Sequence, residues 1–402
     1  MNFQQSLEVA SADSLLIIGV LLIFALLARG LFARSSVPLL VIYIGIGVLL
    51  GWLDTLAPLI EPGASHSLGL LAEAGLVLLL FKVGLESDLS GLLKQLPNAS
   101  WIWLWNVLFS GAIGFAAAYY LVGFSLLTSI FTGVALTATS LGVTVTIWAE
   151  AKQLTTERGS LFVDVAELDD ISSIVLMAIL VALAPLLATE DGIALADVGI
   201  TLAKVFTTLA LFITACWVFS VYIEKRLTQF IEQRETRHEP MVLILSIGFI
   251  IAALAEISGL SLAVGAFLAG LAFSRDTQAT KERVVFNGLY VVFTPFFFIG
   301  LGLHIDLTAF SSALWPGLVL LVAAIIGKLL GTSLPAYRRL GGFGALLMGV
   351  SMIPRAEIAM VIMQKALDAG ADSRAFSAMM IVSVGTVMLT SLVLPWMMRR
   401  EP

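Results

Sequence analysis

Apolar runs of membrane-spanning length follow one another along almost the whole chain, and that succession leaves few ways to fold. Crossing a hydrocarbon core of roughly 30 Å as a helix takes about 20 mostly apolar residues. By that measure the runs at 14–32, 37–53, 68–89, 101–123, 125–149, 160–189, 195–222, 241–257, 259–274, 283–305, 313–334, 342–366 and 375–398 predict an all-α integral membrane protein of about 13 transmembrane helices. Charged residues make up 12% of the 402, and the mean hydropathy is +1.02. A soluble domain carries roughly 25% charge, so a soluble globular protein is excluded. The net charge of -6 argues against nucleic acid as a partner. Cys216 is the single cysteine, so no disulfide forms within the chain. Residues 1–14 carry Glu8 and Asp13 but no Lys or Arg, unlike a secretory signal, and the first span is expected to direct insertion.

The loop charges orient the spans. With alternating sides, sixteen of the 22 lysines and arginines fall on one face, among them Arg158, Arg338, Arg339, Arg399 and Arg400. Lys365 and Arg374 fall on the other, with acids such as Asp54, Glu190 and Asp191. Cytoplasmic loops carry the excess of Lys and Arg, which predicts the N-terminus outside and the C-terminus inside. An internal repeat is also visible. Gly84-Leu85-Glu86-Ser87-Asp88-Leu89 recurs 218 residues later as Gly302-Leu303-His304-Ile305-Asp306-Leu307, and the same offset carries Leu136-Thr137 onto Pro354-Arg355. Seven spans separate the copies, an odd number, so they face opposite ways. Two inverted repeats of six helices, each with an interrupted helix, are expected, an architecture of secondary transporters.

Four cations fall inside spans: Lys82, Lys204, Lys328 and Arg355. Lys82 and Lys204 lie near enough to helix ends to snorkel. Lys328 and Arg355 are too deep, and a cation at that depth costs several kcal/mol unless it is paired or hydrated. The sixth span offers partners in Glu167-Leu168-Asp169-Asp170 with Ser173 one turn on, the two aspartates near the bilayer midplane. Adjacent helical residues point about 100° apart, so one aspartate is expected to pair with Lys328 while the other faces an aqueous cavity, alternating between a proton and a cation. A buried pair that only fixes helix packing is the alternative. Thr137-Ala138-Thr139-Ser140-Leu141-Gly142 in the fifth span, and Pro354-Arg355-Ala356-Glu357 in the twelfth, read as the helix interruptions, because freed backbone groups need small hydroxyls and proline breaks the ladder. Arg355 and Glu357 would neutralise the exposed helix ends. Glu73 and Glu167 are candidates for a vestibule or an ion pair. Hydroxyls, carbonyls and carboxylates suit small hard cations. The histidines His66, His238 and His304 form no cluster for zinc.

Leu71 to Glu86, Leu136 to Thr144, Glu167-Leu168-Asp169-Asp170, Gly327-Lys328-Leu329-Leu330-Gly331 and Ile353 to Glu357 resemble the monovalent cation:proton antiporter-2 family, in its bacterial electrogenic sodium/proton antiporter branch. The resemblance implies a homodimer in a bacterial cytoplasmic membrane, with a mobile core and a dimerisation domain in an elevator-type arrangement. The dimerisation domain would comprise 1–90 and 241–307, the core ion-transport domain 101–189 and 313–398, with 190–240 as linker helix and cytoplasmic loop. It assigns cation and proton binding to Asp170, the Lys328 salt bridge to Asp169, and the crossing beside the site to Thr139 and Ser140, with Asp170 and Thr139 as sodium ligands. The sequence runs to Arg399-Arg400-Glu401-Pro402 without the cytoplasmic nucleotide-binding domain of some members, so either the protein lacks that domain or it lies beyond this sequence. The implied activity is exchange of Na+ or Li+ for H+, with no cofactor and no enzymatic reaction. K+/H+ exchange is the near alternative, and a sodium-coupled solute symporter of related fold a more distant one. An intramembrane aspartyl protease is disfavoured because its two carboxylates must face one water.

Overall fold

With no water in the hydrocarbon core, every backbone N–H and C=O has to find a partner inside the chain, and a helix satisfies that requirement locally. The computed structural model describes residues 12–32, 39–56, 60, 62–86, 89–154, 156–187, 195–223, 226, 240–274, 283–303 and 307–400, and among them it is helical with no strand. In chain order the helices are α1 Ala12–Phe32, α2 Leu39–Leu56, α3 Pro62–Glu86, α4 Leu89–Ala116, α5 Leu126–Ala135, α6 Leu141–Glu150, α7 Glu157–Leu187, α8 Leu195–Val218, α9 Pro240–Ile257, α10 Leu262–Phe273, α11 Arg283–Leu303, α12 Leu307–Lys328, α13 Leu334–Ser351, α14 Glu357–Asp368 and α15 Ser373–Met398. Nine helical stretches among the described residues are long and apolar enough to cross a membrane, with shorter apolar helices beside them. His238, His304, Glu190, Asp191 and the Ser87-Asp88 and His304–Asp306 parts of the repeated motif lie outside the described residues.

Two compact units divide the chain, one of residues 1–34, 42–89 and 203–305, the other of 35–41, 90–202 and 306–402. In the first unit α3 packs on α10 and α11, and α9 on α10. Glycines set these contacts: Gly84 faces the backbone of Phe267, and Gly270 that of Phe81, so neither position has room for a side chain. Small residues allow this approach where lipid is as apolar as the helix surface. Phe81, Ile244, Phe273 and Phe286 fill the space around the contact. Lys82 sits 3.8 Å from Glu86 and 4.3 Å from the Tyr290 ring centroid, while Lys204 is exposed.

The second unit contains two helical sets built in the same order. α4 and α12 begin 218 residues apart, at Leu89 and Leu307, the offset of the sequence repeat. Each ends in a π-helical turn, Ala117–Val122 and Leu329–Ser333. The next span of each set is interrupted, between α5 and α6 over residues 136–140 and between α13 and α14 over 352–356. Each set closes on a long helix, α7 or α15. The expected spans 313–334 and 342–366 are separated within α13 at Gly341, whose φ of 70° and ψ of 177° favour glycine. The fourth helix starts at Leu89 rather than near 101, because hydropathy marks the lipid-embedded part of a helix and not its end. Within this unit α12 packs on α15, α14 on α5, α7 and α15, and α5 and α6 on α7.

Candidate functional site

α7 carries Asp169 and Asp170 into the interior of the second unit, and the two carboxylates meet different surroundings. Asp169 and Lys328 are both wholly buried, with Lys328 Nζ 2.6 Å from Asp169 Oδ2. That oxygen also accepts from Asn106 Nδ2 at 2.6 Å and from Thr139 Oγ1 at 2.8 Å. Lys328 gives a second hydrogen bond to the Thr137 carbonyl, at 2.7 Å. Thr137 lies in the interruption after α5, where a carbonyl is available to a side chain. A buried ion pair persists only when further hydrogen bonds satisfy both partners, and the broken helix supplies two of them, from Thr137 and Thr139. Thr137 Oγ1 is 3.1 Å from Ser173 Oγ, tying the break to α7 one turn beyond the aspartates.

Asp170 is 7% exposed, and its Oδ1 makes no hydrogen bond within the structure. Asp169 Oδ1 is likewise unbonded. The pairing left open between the two acids is thus resolved by geometry: Lys328 bonds Asp169, and Asp170 keeps a buried carboxylate oxygen with lone pairs unengaged. Such an oxygen binds a proton or a small hard cation equally naturally. Thr139 spends its hydroxyl proton on Asp169, so only its oxygen lone pairs remain to ligate a cation.

The two interruptions touch. Ser140 N–H donates to the Pro354 carbonyl at 2.8 Å, and Ser140 Oγ donates to Glu357 Oε2 at 3.0 Å. Glu357 opens α14, so its carboxylate sits at the amide end of a helix, where negative charge is stabilising. Arg355 is wholly buried and serves the opposite end. Its Nη1 lies 3.0, 2.9 and 3.2 Å from the carbonyl oxygens of Met352, Ile353 and Pro354, the residues that follow α13. Its backbone N–H goes to Thr386 Oγ1 on α15 at 3.1 Å. Positive charge just beyond the carbonyl end of a helix is the complementary arrangement.

Of the other candidates, Glu167 is half-buried on α7, one turn before Asp170, and Glu73 is exposed on α3 in the first unit. Asn106 and Thr332 belong to the site and were not among the expected residues. Thr332 Oγ1 donates to Asn106 Oδ1 at 3.1 Å, and both residues are wholly buried. Their approach depends on Gly327 and Gly331, where an added Cβ would come 3.0 Å from Ser110 Cα and 2.8 Å from Asn106 Cα. A signal for Asn106 existed in the sequence: it is a lone amide within the apolar, aromatic run 101–109, where an unpaired polar group is expensive.

Residues 20–400 match the family model described as "Sodium/hydrogen exchanger, transmembrane". The chain is 27% identical over 342 residues to the high-affinity Na(+)/H(+) antiporter NhaS3 of Synechocystis, covering 83% of this chain and 71% of that protein. It is 27% identical over 395 residues to a Na(+)/H(+) antiporter of Enterococcus hirae, covering 96% of this chain and 98% of that one. The sodium proton antiporter MjNhaP1 of Methanocaldococcus jannaschii superposes with a TM-score of 0.69 at 17% identity, over 96% of this chain and 98% of the other, and shares the fold. The chain therefore belongs to the transmembrane sodium/hydrogen exchanger family, a family of multi-pass antiporters rather than enzymes.

Proposed function

We propose that this protein exchanges Na+ or Li+ for protons across a cytoplasmic membrane at Asp170, and that the exchange is electrogenic. The observation that carries the proposal is the division of labour on α7: one buried aspartate bound to a buried lysine, its neighbour with an unbonded carboxylate oxygen. A cation loading at Asp170 displaces the proton held there. Na+ in place of H+ leaves the charge at Asp170 unchanged, but a cation that also draws on the neighbouring Asp169 carboxylate competes with the ammonium of Lys328, which releases a second proton when its hold on Asp169 is broken. Two protons then move against one cation, and net charge crosses the membrane in each cycle. Thr137, Thr139, Ser140, Ser173, Pro354, Arg355 and Glu357 shape the path at the crossing. The neutralisation of both broken-helix ends by residues of the crossing itself supports a site that keeps its form while it changes access.

Alternating access of the elevator type is part of the same proposal. The unit containing α4–α7 and α12–α15 would act as the carrier (101–189 and 313–398), and the other would hold the homodimer (1–90 and 241–307), with 190–240 linking them. Support comes from the two compact units and from the site residues lying within one of them. The orientation, N-terminus outside and C-terminus inside, rests on the loop charges.

Purified protein in liposomes tests the proposal. An inward or outward gradient of Na+ or Li+ is expected to drive opposing proton flux, faster under a membrane potential of the favourable sign and weaker with K+. Flux indifferent to potential contradicts electrogenic exchange, and equal flux with K+ contradicts the cation preference.

A further inference from the structure

Asp169 Oδ2 is saturated by three donors, from Lys328, Asn106 and Thr139, and two of the three donor groups belong to one closed ring. The ring runs from Asp169 to Lys328, along the π turn from Lys328 to Thr332, from Thr332 Oγ1 to Asn106 Oδ1, and from Asn106 Nδ2 back to Asp169 Oδ2. A carboxylate only accepts, so Asn106 has to present its NH2 to Asp169, and its carbonyl oxygen then has to face a donor. The Thr332 hydroxyl is that donor. In a π turn the backbone is widened, and such turns recur where a helix places functional groups; here the turn starts directly after Lys328 and contains Thr332.

We propose that Asn106 and Thr332 are a positioning pair for the Lys328–Asp169 ion pair, with Thr332 fixing the Asn106 amide so that its NH2 continues to bond Asp169 when Lys328 lets go. This rests on the proposed exchange, in which loading a cation loosens Lys328. With Asn106 and Thr139 in place, Asp169 keeps two donors on Oδ2 while the ammonium is released, so the oxygen that Lys328 had held stays hydrogen-bonded. Without the Thr332 hydroxyl the amide is free to turn, and its carbonyl oxygen then repels Asp169. Asp169 leans harder on Lys328, the ammonium is harder to displace, and the cation binds more weakly. Movement of the loaded carrier does not involve this pair. The effect therefore falls on affinity rather than on maximal rate.

The test uses the full chain in liposomes. Thr332→Val keeps the shape and removes the hydroxyl that holds the Asn106 amide; once the amide turns, its hydrogen bond to the charged Asp169 is lost, and a bond to a charged group is worth roughly a factor of ten or more, so the apparent KM for Na+ is expected to rise about tenfold. The maximal rate is expected to change less than about twofold, and Thr332→Ser to restore the wild-type KM. Asn106→Leu is expected to raise KM similarly, and the double variant to be no worse than the more impaired single one, because groups acting as a unit are not additive. Wild-type KM in Thr332→Val, equal impairment in Thr332→Ser, or additive effects in the double variant overturn the inference. Absence of Na+-driven proton flux in the wild type overturns the exchange on which it rests, and the two failures are told apart by that control.

Discussion

Arg355→Ala is expected to lower the thermal stability of the detergent-solubilised protein by several degrees and to abolish exchange. Arg355 is wholly buried, and one nitrogen, Nη1, reaches the three carbonyl oxygens that follow α13. The interruption between α13 and α14 removes the helical partners of those carbonyls, and Pro354 removes a backbone donor as well. A buried acceptor left without a partner costs about 1–3 kcal/mol, and the Met352 and Ile353 carbonyls both lose theirs while Pro354 keeps the Ser140 N–H, although water drawn into the gap offsets part of the loss. The consequence for transport is geometric. Pro354 O accepts from Ser140 N–H, and Ser140 Oγ donates to Glu357, so a break that relaxes on one side loses its register with the other. Arg355→Lys is expected to recover part of the stability, since a single ammonium carries three N–H donors. Melting of Arg355→Ala at the wild-type temperature contradicts this account of the crossing.

Asp170→Asn is the second large effect, and it separates chemistry from folding. Asparagine has nearly the same shape, keeps an oxygen at the position, and holds neither a negative charge nor an exchangeable acid proton. Lys328 remains paired with Asp169, because that contact uses the neighbouring side chain on a face about 100° away. The variant is expected to fold, with a melting temperature at or above that of the wild type, since burying an amide costs less than burying a carboxylate. Cation-driven proton flux is expected to fall to the level of protein-free liposomes. Retained flux places the exchange elsewhere.

The deep charges were legible in the sequence because lipid makes them costly: Lys328, Arg355 and the Asp169–Asp170 pair stand out of apolar runs and each demands a partner. The interruptions were legible for a related reason, since Pro354 cannot continue a helix ladder and the hydroxyls from Thr137 to Ser140 suit a broken one. The repeat offset was legible in two short motifs, and the helix starts at Leu89 and Leu307 carry the same 218-residue shift. The choice of aspartate for Lys328 was not legible from spacing alone, since a 100° difference in direction has meaning only once α12 is packed. Asn106 stood out as a lone amide in an apolar run, but a hydroxyl such as that of Thr332 is cheap to satisfy within its own helix, and nothing in their spacing shows that the two meet across 226 residues. Glu73 looked comparable to Glu167 as an acid within a span, yet it is exposed and in the other unit.

The central claim is that protons and the cation compete for one carboxylate, Asp170. It is tested most directly by the apparent KM for Na+ measured over a range of pH in liposomes holding the wild-type protein. Protons occupy more of the site as pH falls, so KM is expected to rise toward acid pH, by up to about tenfold per pH unit for each competing proton. The maximal rate at saturating Na+ is expected to stay constant over the same range. A KM that does not change with pH, while the maximal rate falls toward acid pH, contradicts competition at a single site.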